Sequence, residues 1–291
     1  MNYILLLAIG IIWGSQFVFI NSGLHVYSPE QLALLRTFYA SLFLIIFCFF
    51  VRRKRYKRTF YEWLKVVFIA ILEVVIPFTL VMWGQQYISV SMAAILMGTI
   101  PFFALVMVLI TKVEKSSMAK FLGVIIGFTG LLMLVFPDLI EDGLGDGFWG
   151  KFAVLIGACS FAQALIIIKS MPKENSFTLS RDAFCIGTLL LALINLFQGN
   201  LLHFHYQLWP FVNTILLGVF CSGVVYVLYV TLIKSAGAAF SSFSNYLVPL
   251  FGSLLGVVFL NDRLTWNMMV ACFLILLSIA VEPIIKLFFR R

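Results

Sequence analysis

The chain has 291 residues, 63% of them hydrophobic and only 11% charged, with a mean hydropathy of +1.08. Soluble domains carry about 25% charged residues, so this composition excludes a water-soluble enzyme or binding module and points to a polytopic membrane protein. The net charge of +8 sits in short loops between apolar runs, which argues against nucleic-acid binding.

A bilayer-crossing helix needs roughly 20 apolar residues, and ten runs meet that length: 3–22, 30–51, 64–86, 89–111, 118–136, 148–169, 181–199, 210–233, 238–260 and 266–286. The first follows Met1-Asn2-Tyr3 with no basic segment and no cleavage site, so it reads as a retained helix, not a signal peptide. Trp13-Gly14-Ser15-Gln16 interrupts it at mid-depth. The second carries Arg36 about a turn and a half from its outer end, and the third holds Glu73 near its middle. Gly123 and Gly127 mark the fifth run, Gln163 the sixth, Tyr226 and Tyr229 the eighth, and Asn245 and Tyr246 the ninth. All five cysteines fall inside apolar runs and read as small buried hydrophobes. With both termini cytoplasmic, every Lys and Arg except Lys151, Arg263 and the intrahelical Arg36 falls on the inside, and an acidic loop (Asp138, Glu141, Asp142, Asp146) lies outside. The positive-inside rule is thereby met.

Part of the sequence recurs 148 positions on. Ile88–Ala94, Pro101 and Glu114 map onto Ala236–Ser242, Pro249 and Asp262, and Trp13-Gly14 maps onto Phe161-Ala162. One constant offset across several helices indicates duplication. The expected fold is an all-α integral membrane protein of ten transmembrane helices in two repeats, residues 1–141 and 142–291. Five helices per repeat make the second inverted relative to the first, the architecture of many transporters.

Several residues are candidates for a site. Glu73 is costly at mid-membrane; it serves either as a proton-coupling group or counter-charge, or as the ion-pair partner of Arg36. Arg36 either clamps a substrate carboxylate with two parallel hydrogen bonds, snorkels to the interface, or caps carbonyls of a neighbouring helix. Trp13, Gln16 and Gln163 fall on the repeat interface, as lining or as packing. Tyr226, Tyr229, Asn245 and Tyr246 supply polar tips at depth, for an aromatic box or for core packing. Gly123 and Gly127 suit either a homodimer contact or internal packing. Gly143-Leu144-Gly145-Asp146 matches a protease string but reads as a turn. His25, His203 and His205 are too scattered for a catalytic metal. No P-loop, zincin motif or nucleophile elbow is present, so no enzyme, cofactor or metal is expected.

These features resemble the drug/metabolite transporter superfamily, in its ten-helix EamA branch. The resemblance rests on Trp13-Gly14-Ser15, Arg36-Thr37-Phe38, Ile76-Pro77-Phe78, Trp83-Gly84-Gln85-Gln86-Tyr87, Ala93-Ala94-Ile95-Leu96, Pro101-Phe102 and Glu114. Gly123, Gly127 and Gly130 follow, then Pro249 and Asn261-Asp262-Arg263-Leu264-Thr265. The chain departs from it at Val113 and Asn261, where glycine usually precedes the loop acid, and at Glu73, where an uncharged residue is usual. The resemblance implies proton-coupled or gradient-driven exchange of small metabolites, export more often than uptake. It also implies a central cavity between helices one to four and six to nine. The expected function is secondary transport of a small polar metabolite, foremost an amino acid or derivative. Its partners would be a small-molecule substrate, the lipid bilayer and protons, in the inner or plasma membrane of a prokaryote. Two alternatives stand beside it: transport of cationic or quaternary amines such as choline or of amphiphilic drugs, and a non-transporting scaffold or lipid-handling protein.

Overall fold

A computed structural model of the chain describes residues 1–50, 57–88, 90–112, 117–142, 147–199 and 207–260, with helical residues between 266 and 281. Glu114, Asp262, His203, His205 and the segment Gly143-Leu144-Gly145-Asp146 lie outside the described residues. The described residues form helices and no strand: α1 (Asn2–Leu24), α2 (Pro29–Phe50), α3 (Phe60–Gly84), α4 (Val90–Met97), α5 (Ile100–Thr111), α6 (Met118–Asp142), α7 (Phe148–Lys169), α8 (Ser176–Phe197), α9 (Leu208–Ala236), α10 (Ala238–Ser242) and α11 (Ser244–Leu260). Six of these, α1, α2, α3, α7, α8 and α9, are long and apolar enough to cross a membrane. The outer surface is oily, with Phe50, Phe60 and Phe197 among many exposed large side chains. A chain with this exterior is an integral membrane α-protein.

Caps explain where the helices start. Ser28 and Gln31 bond reciprocally ahead of α2, the Gln31 N–H donating to Ser28 Oγ at 3.3 Å and the Ser28 N–H to Gln31 Oε1 at 3.1 Å. Thr59 and Glu62 form the same capping box at α3, which begins at Phe60 instead of the expected 64. Asn175 accepts from the Phe177 N–H at 2.9 Å and starts α8 at Ser176, ahead of the expected 181.

Two expected spans are broken. Gly98-Thr99 separates α4 from α5, and Phe243 separates α10 from α11. Two others carry a π-helical turn, Ala70–Val75 within α3 and Val219–Val224 within α9, 149 positions apart. Pro77 supplies one cause in α3, since it cannot donate to the carbonyl four residues back. The turn in α9 recurs without proline, and there Ser222 Oγ donates to Leu217 O at 3.1 Å, the five-residue spacing of a π turn.

The closest packing joins α2 to α8, α1 to α11 and α3 to α7, so the two halves interleave around a common centre. Gly123 and Gly127 are used up inside the chain, not at a homodimer face. A Cβ on Gly127 would lie 2.4 Å from the Tyr246 ring, and one on Gly123 would lie 2.8 Å from Ser278 O.

Candidate functional site

A cleft enclosing about 550 Å³, open solvent included, lies where α1, α2, α3, α4, α7, α8, α9 and α11 meet. Its lining on α1 (Trp13, Gln16, Phe17, Ile20) and on α3 (Pro77, Phe78, Val81, Met82) comes from the halves of those helices remote from Met1. The cavity therefore runs from mid-depth toward the face opposite the N-terminus.

Arg36 is the one charged side chain in this lining among the described residues. It is held on three sides. Its Nε donates to Ser222 Oγ at 2.6 Å, and its Nη2 donates to Gln16 Oε1 at 2.8 Å and to Cys221 O at 3.0 Å. Its guanidinium lies 3.8 Å over the Phe78 ring. Among the described residues these contacts leave Nη1 without a bond, on a side chain that borders the cavity. Gly218 makes the arrangement possible. A Cβ there would meet Tyr39 Cβ at 2.6 Å and Arg36 O at 2.7 Å, so only glycine lets α9 approach α2 this closely.

The π turn of α9 supplies Arg36 with its acceptors. Its Cys221 carbonyl takes both the Arg36 bond and one from Trp13 Nε1 at 3.2 Å. The turn in α3 is tied across the repeats in the same sense: Ser160 Oγ on α7 donates to Leu72 O at 2.7 Å. Leu72 and Cys221 are 149 positions apart, so each half binds a π-turn carbonyl of the other half.

Glu73 sits on the π turn of α3, 0% exposed and outside the cavity lining. Its Oε2 accepts from the Tyr226 hydroxyl at 2.9 Å, and its Oε1 has no partner among the described residues. It makes no ion pair with Arg36 among the described residues; the arginine is already committed to Ser222, Gln16 and Cys221. Tyr226 lines the cavity, with Phe184 edge-on at 4.9 Å, so this pair screens Glu73 from the cavity.

Of the residues singled out by sequence, Trp13, Gln16, Arg36, Tyr226 and Asn245 come together around the cavity. Asn245 Nδ2 donates to Ser242 O at 3.1 Å, next to the break between α10 and α11. The others lie elsewhere. Tyr229 is buried against Trp13 at 4.7 Å. Tyr246 packs away from the cavity and donates to Val124 O at 3.2 Å. Gln163 faces Cys159 on its own helix, Nε2 to Sγ at 3.7 Å. Trp83 stacks with Tyr87 at 4.9 Å.

Sequence reasoning missed Phe78, Met97, Phe184 and Ser222, all of which line the cavity. The 148-residue offset was the signal that could have found them. Phe184 is the counterpart of Arg36, Phe78 of Tyr226, and Met97 of Asn245. Glu73 corresponds to Ser222 at an offset of 149, matching the shift between the π turns. Two equivalent half-sites result. One holds Arg36 over Phe78 and bonded to Ser222. The other holds Phe184 against Tyr226, which is bonded to Glu73. The duplicated cavity has lost its symmetry, with the cation in one half-site and the carboxyl group in the other.

Comparison with known proteins agrees with this architecture. A solved crystal structure superposes with a TM-score of 0.77 over 98% of both chains; at 14% identity this likeness speaks for the fold alone. An uncharacterized transporter of Archaeoglobus fulgidus is 25% identical over 263 residues, covering 90% of each chain. A WAT1-related protein of Arabidopsis thaliana is 27% identical across 89% of this chain and 77% of its own. The uncharacterized inner membrane transporter YedA of Escherichia coli is 23% identical across 86% of this chain and 80% of its own. The sequence profile of the EamA-like transporter family matches twice, over residues 1–136 and 148–281. The chain therefore belongs to the EamA-like transporter family, and is a multi-pass membrane transporter, not an enzyme.

Proposed function

We propose that the chain is a secondary transporter of a small carboxylate-bearing metabolite, foremost an amino acid or derivative, working by alternating access in the direction of export. The observation that supports this reading is Arg36. Among the described residues it is the one charge in the cavity lining, it is buried and oriented by three acceptors, and those bonds use Nε and Nη2 but not Nη1. A guanidinium so placed attracts a carboxylate and repels a cation. One aromatic face that a quaternary amine could use, Phe78, is already covered by Arg36 itself. Glu73 is the proposed coupling group, in contact with the cavity through the Tyr226 hydroxyl alone.

The test is ligand-induced thermal stabilisation of detergent-purified protein by amino acids, organic acids, quaternary amines and nucleosides. Acid-bearing ligands are expected to stabilise the wild type. Arg36→Lys, which loses the planar fork, should weaken that binding roughly 10-fold or more. Stabilisation by quaternary amines that persists in Arg36→Lys would reject the proposal in favour of a cationic substrate.

A further inference from the structure

Three lysines meet around the turn between α7 and α8, on the N-terminal face. Lys65, in the second turn of α3, donates to Ser170 Oγ at 3.1 Å. Lys169, the last residue of α7, donates to Ile233 O on α9 at 3.3 Å. Lys234, the next residue of α9, donates to the Glu174 carbonyl. Ser170 follows Lys169 in the chain, and the Glu174 N–H donates to Met171 O at 3.3 Å within the same turn. The contacts therefore close a circuit through α3 and the ends of α7 and α9.

Each of these bonds ends on a neutral oxygen. Lysines near helix C-termini commonly bond carbonyls in this way. An ammonium carries three donors, however, and among the described residues each of these nitrogens uses only one. The Ser170 hydroxyl is itself committed as a donor to Ile167 O at 2.7 Å, so it offers Lys65 a lone pair and no charge.

The acids nearby are engaged elsewhere. Glu174 Oε2 accepts from Arg58 Nε at 2.8 Å, and its Oε1 accepts from the Thr178 hydroxyl at 2.8 Å and the Asn175 N–H at 3.2 Å. Asp182 holds Arg58 on Oδ2 at 2.5 Å and Arg181 on Oδ1 at 2.7 Å. Two guanidinium groups thus neutralise two carboxylates. Glu62, the other described acid on this face, closes the capping box with Thr59. No ion pair reaches Lys65, Lys169 or Lys234 among the described residues. Three positive charges surround one turn without a counter-charge.

The apolar surface beside the lysines selects the kind of anion. On α3, Leu64 and Phe68 are exposed, and Phe68 lies three residues past Lys65 on the same face, a turn farther from the N-terminal face. Tyr61 and Trp63 are exposed near the start of the helix, where aromatic residues mark the edge of the bilayer. A soluble anion would use the charges and leave this oily strip unused. We infer that α3 and the ends of α7 and α9 form a site for an anionic phospholipid, its phosphate among Lys65, Lys169 and Lys234 and an acyl chain along Leu64 and Phe68. Basic pockets between helix ends on the cytoplasmic side take lipid head groups of this charge. The phosphate supplies the missing counter-charge, fills ammonium donors that the protein leaves open, and ties α3 to α7 and α9 at one point. The site is separate from the cavity and from Arg36, so it stands or falls independently of the transported substrate.

The experiment titrates detergent-purified full-length protein with phosphatidylglycerol, with phosphatidylcholine, or with inorganic phosphate, and reads bound ligand by native mass spectrometry. Phosphatidylcholine carries the same phosphate without net charge, and inorganic phosphate carries the charge without a chain. Phosphatidylglycerol is expected to bind the wild type more tightly than either. Lys65→Gln, Lys169→Gln and Lys234→Gln should each weaken it about five-fold, while Lys151→Gln, the same change of charge on the opposite face, leaves it unaltered. Lys65→Arg, which keeps the charge, should retain binding. Lys65 bonds only the exposed Ser170, so its variants carry the test should the other two fold poorly. Equal affinity for phosphatidylglycerol and phosphatidylcholine would overturn the site. So would a preference that the three substitutions disturb no more than Lys151→Gln does. Inorganic phosphate that binds as tightly as phosphatidylglycerol and displaces it would overturn the lipid and assign the lysines to a soluble anion.

Discussion

Two buried carboxyl groups meet opposite local solutions. Burial alone would push the Glu174 carboxyl up, but hydrogen bonds from Arg58 and Thr178, with the Arg58 charge, outweigh it and hold the group below its usual range. Glu73 has one hydroxyl donor and an unpartnered oxygen. The first reads as structure and the second as function, because an ion pair fixes a position whereas an incomplete shell invites a change of state. The sign of the pH effect follows for Glu174. Its folded-state affinity for protons is lowered, so the stability it contributes through Arg58 is present above the ordinary glutamate range and is lost as pH falls through the lower folded value. Acidification below about pH 4 is thus expected to lower the thermal stability of the wild type. In Glu174→Gln stability should be lower already and less sensitive to acid, and an equal acid response in both forms would remove Glu174 as its source. At this scale, Trp13, Arg36 and Tyr226 could be read from sequence because polar or wide groups at mid-depth are rare in a membrane chain. Ser222 and Phe184 could not, since a serine and a phenylalanine in an apolar run carry no signal of their own.

Among the elements, lengths were legible and irregularities were not. A run of about 20 apolar residues gives a span whatever its internal geometry, so nine of the ten runs coincide with described helices, two of them broken, and the tenth, 266–286, is described only in part. The breaks at Gly98-Thr99 and Phe243 and the π turns in α3 and α9 lie inside such runs, where one inserted or unbonded residue leaves hydropathy unchanged. Yet these irregularities build the site, by presenting the Cys221 carbonyl to Arg36 and Trp13 and by placing Asn245 next to a helix break. The caps were written in the sequence as Thr59-x-x-Glu62 and as Asn175, and would have set α3 and α8 at their true starts. The approach of α9 to α2 can be tested directly. Gly218→Ala would drive a methyl group into Tyr39 Cβ and the Arg36 carbonyl, where backbone cannot yield cheaply. A loss of about 1–3 kcal/mol in stability is expected from such overpacking, together with weaker substrate binding as Arg36 moves off Ser222. Gly252→Ala is the control, since its nearest neighbour, Gly14 O, lies at an ordinary 3.6 Å. Equal thermal stability of the two variants would show that the α2–α9 contact is not what seats Arg36.

At the level of the whole molecule, duplication supplied the plan and divergence supplied the chemistry. The repeat offset carries helix onto helix and π turn onto π turn, while the residues at matching positions have drifted apart into arginine and phenylalanine, serine and glutamate. What remains asymmetric is the charge of the two faces. Lys65, Lys112, Lys169, Lys173, Arg181 and Lys234 gather with Asn2 on the N-terminal face, and among the described loop and helix-end residues only Lys151 stands on the other. Lys and Arg near span ends are retained on the cytoplasmic side, so the N-terminal face is expected to be cytoplasmic. Lys173 and Gln207 are exposed on opposite faces and allow a direct check. In a background whose five native cysteines are replaced, Gln207→Cys should react with an impermeant thiol reagent on intact cells. Lys173→Cys should react only in inside-out vesicles. The result decides more than topology, because the mouth of the cavity opens on the face of Gln207. With that face outside, the present state is the one from which an exporter releases its substrate, and Arg36 must let go there. Reversed labelling would make it the loading state, in which Arg36 would be the group that receives the substrate.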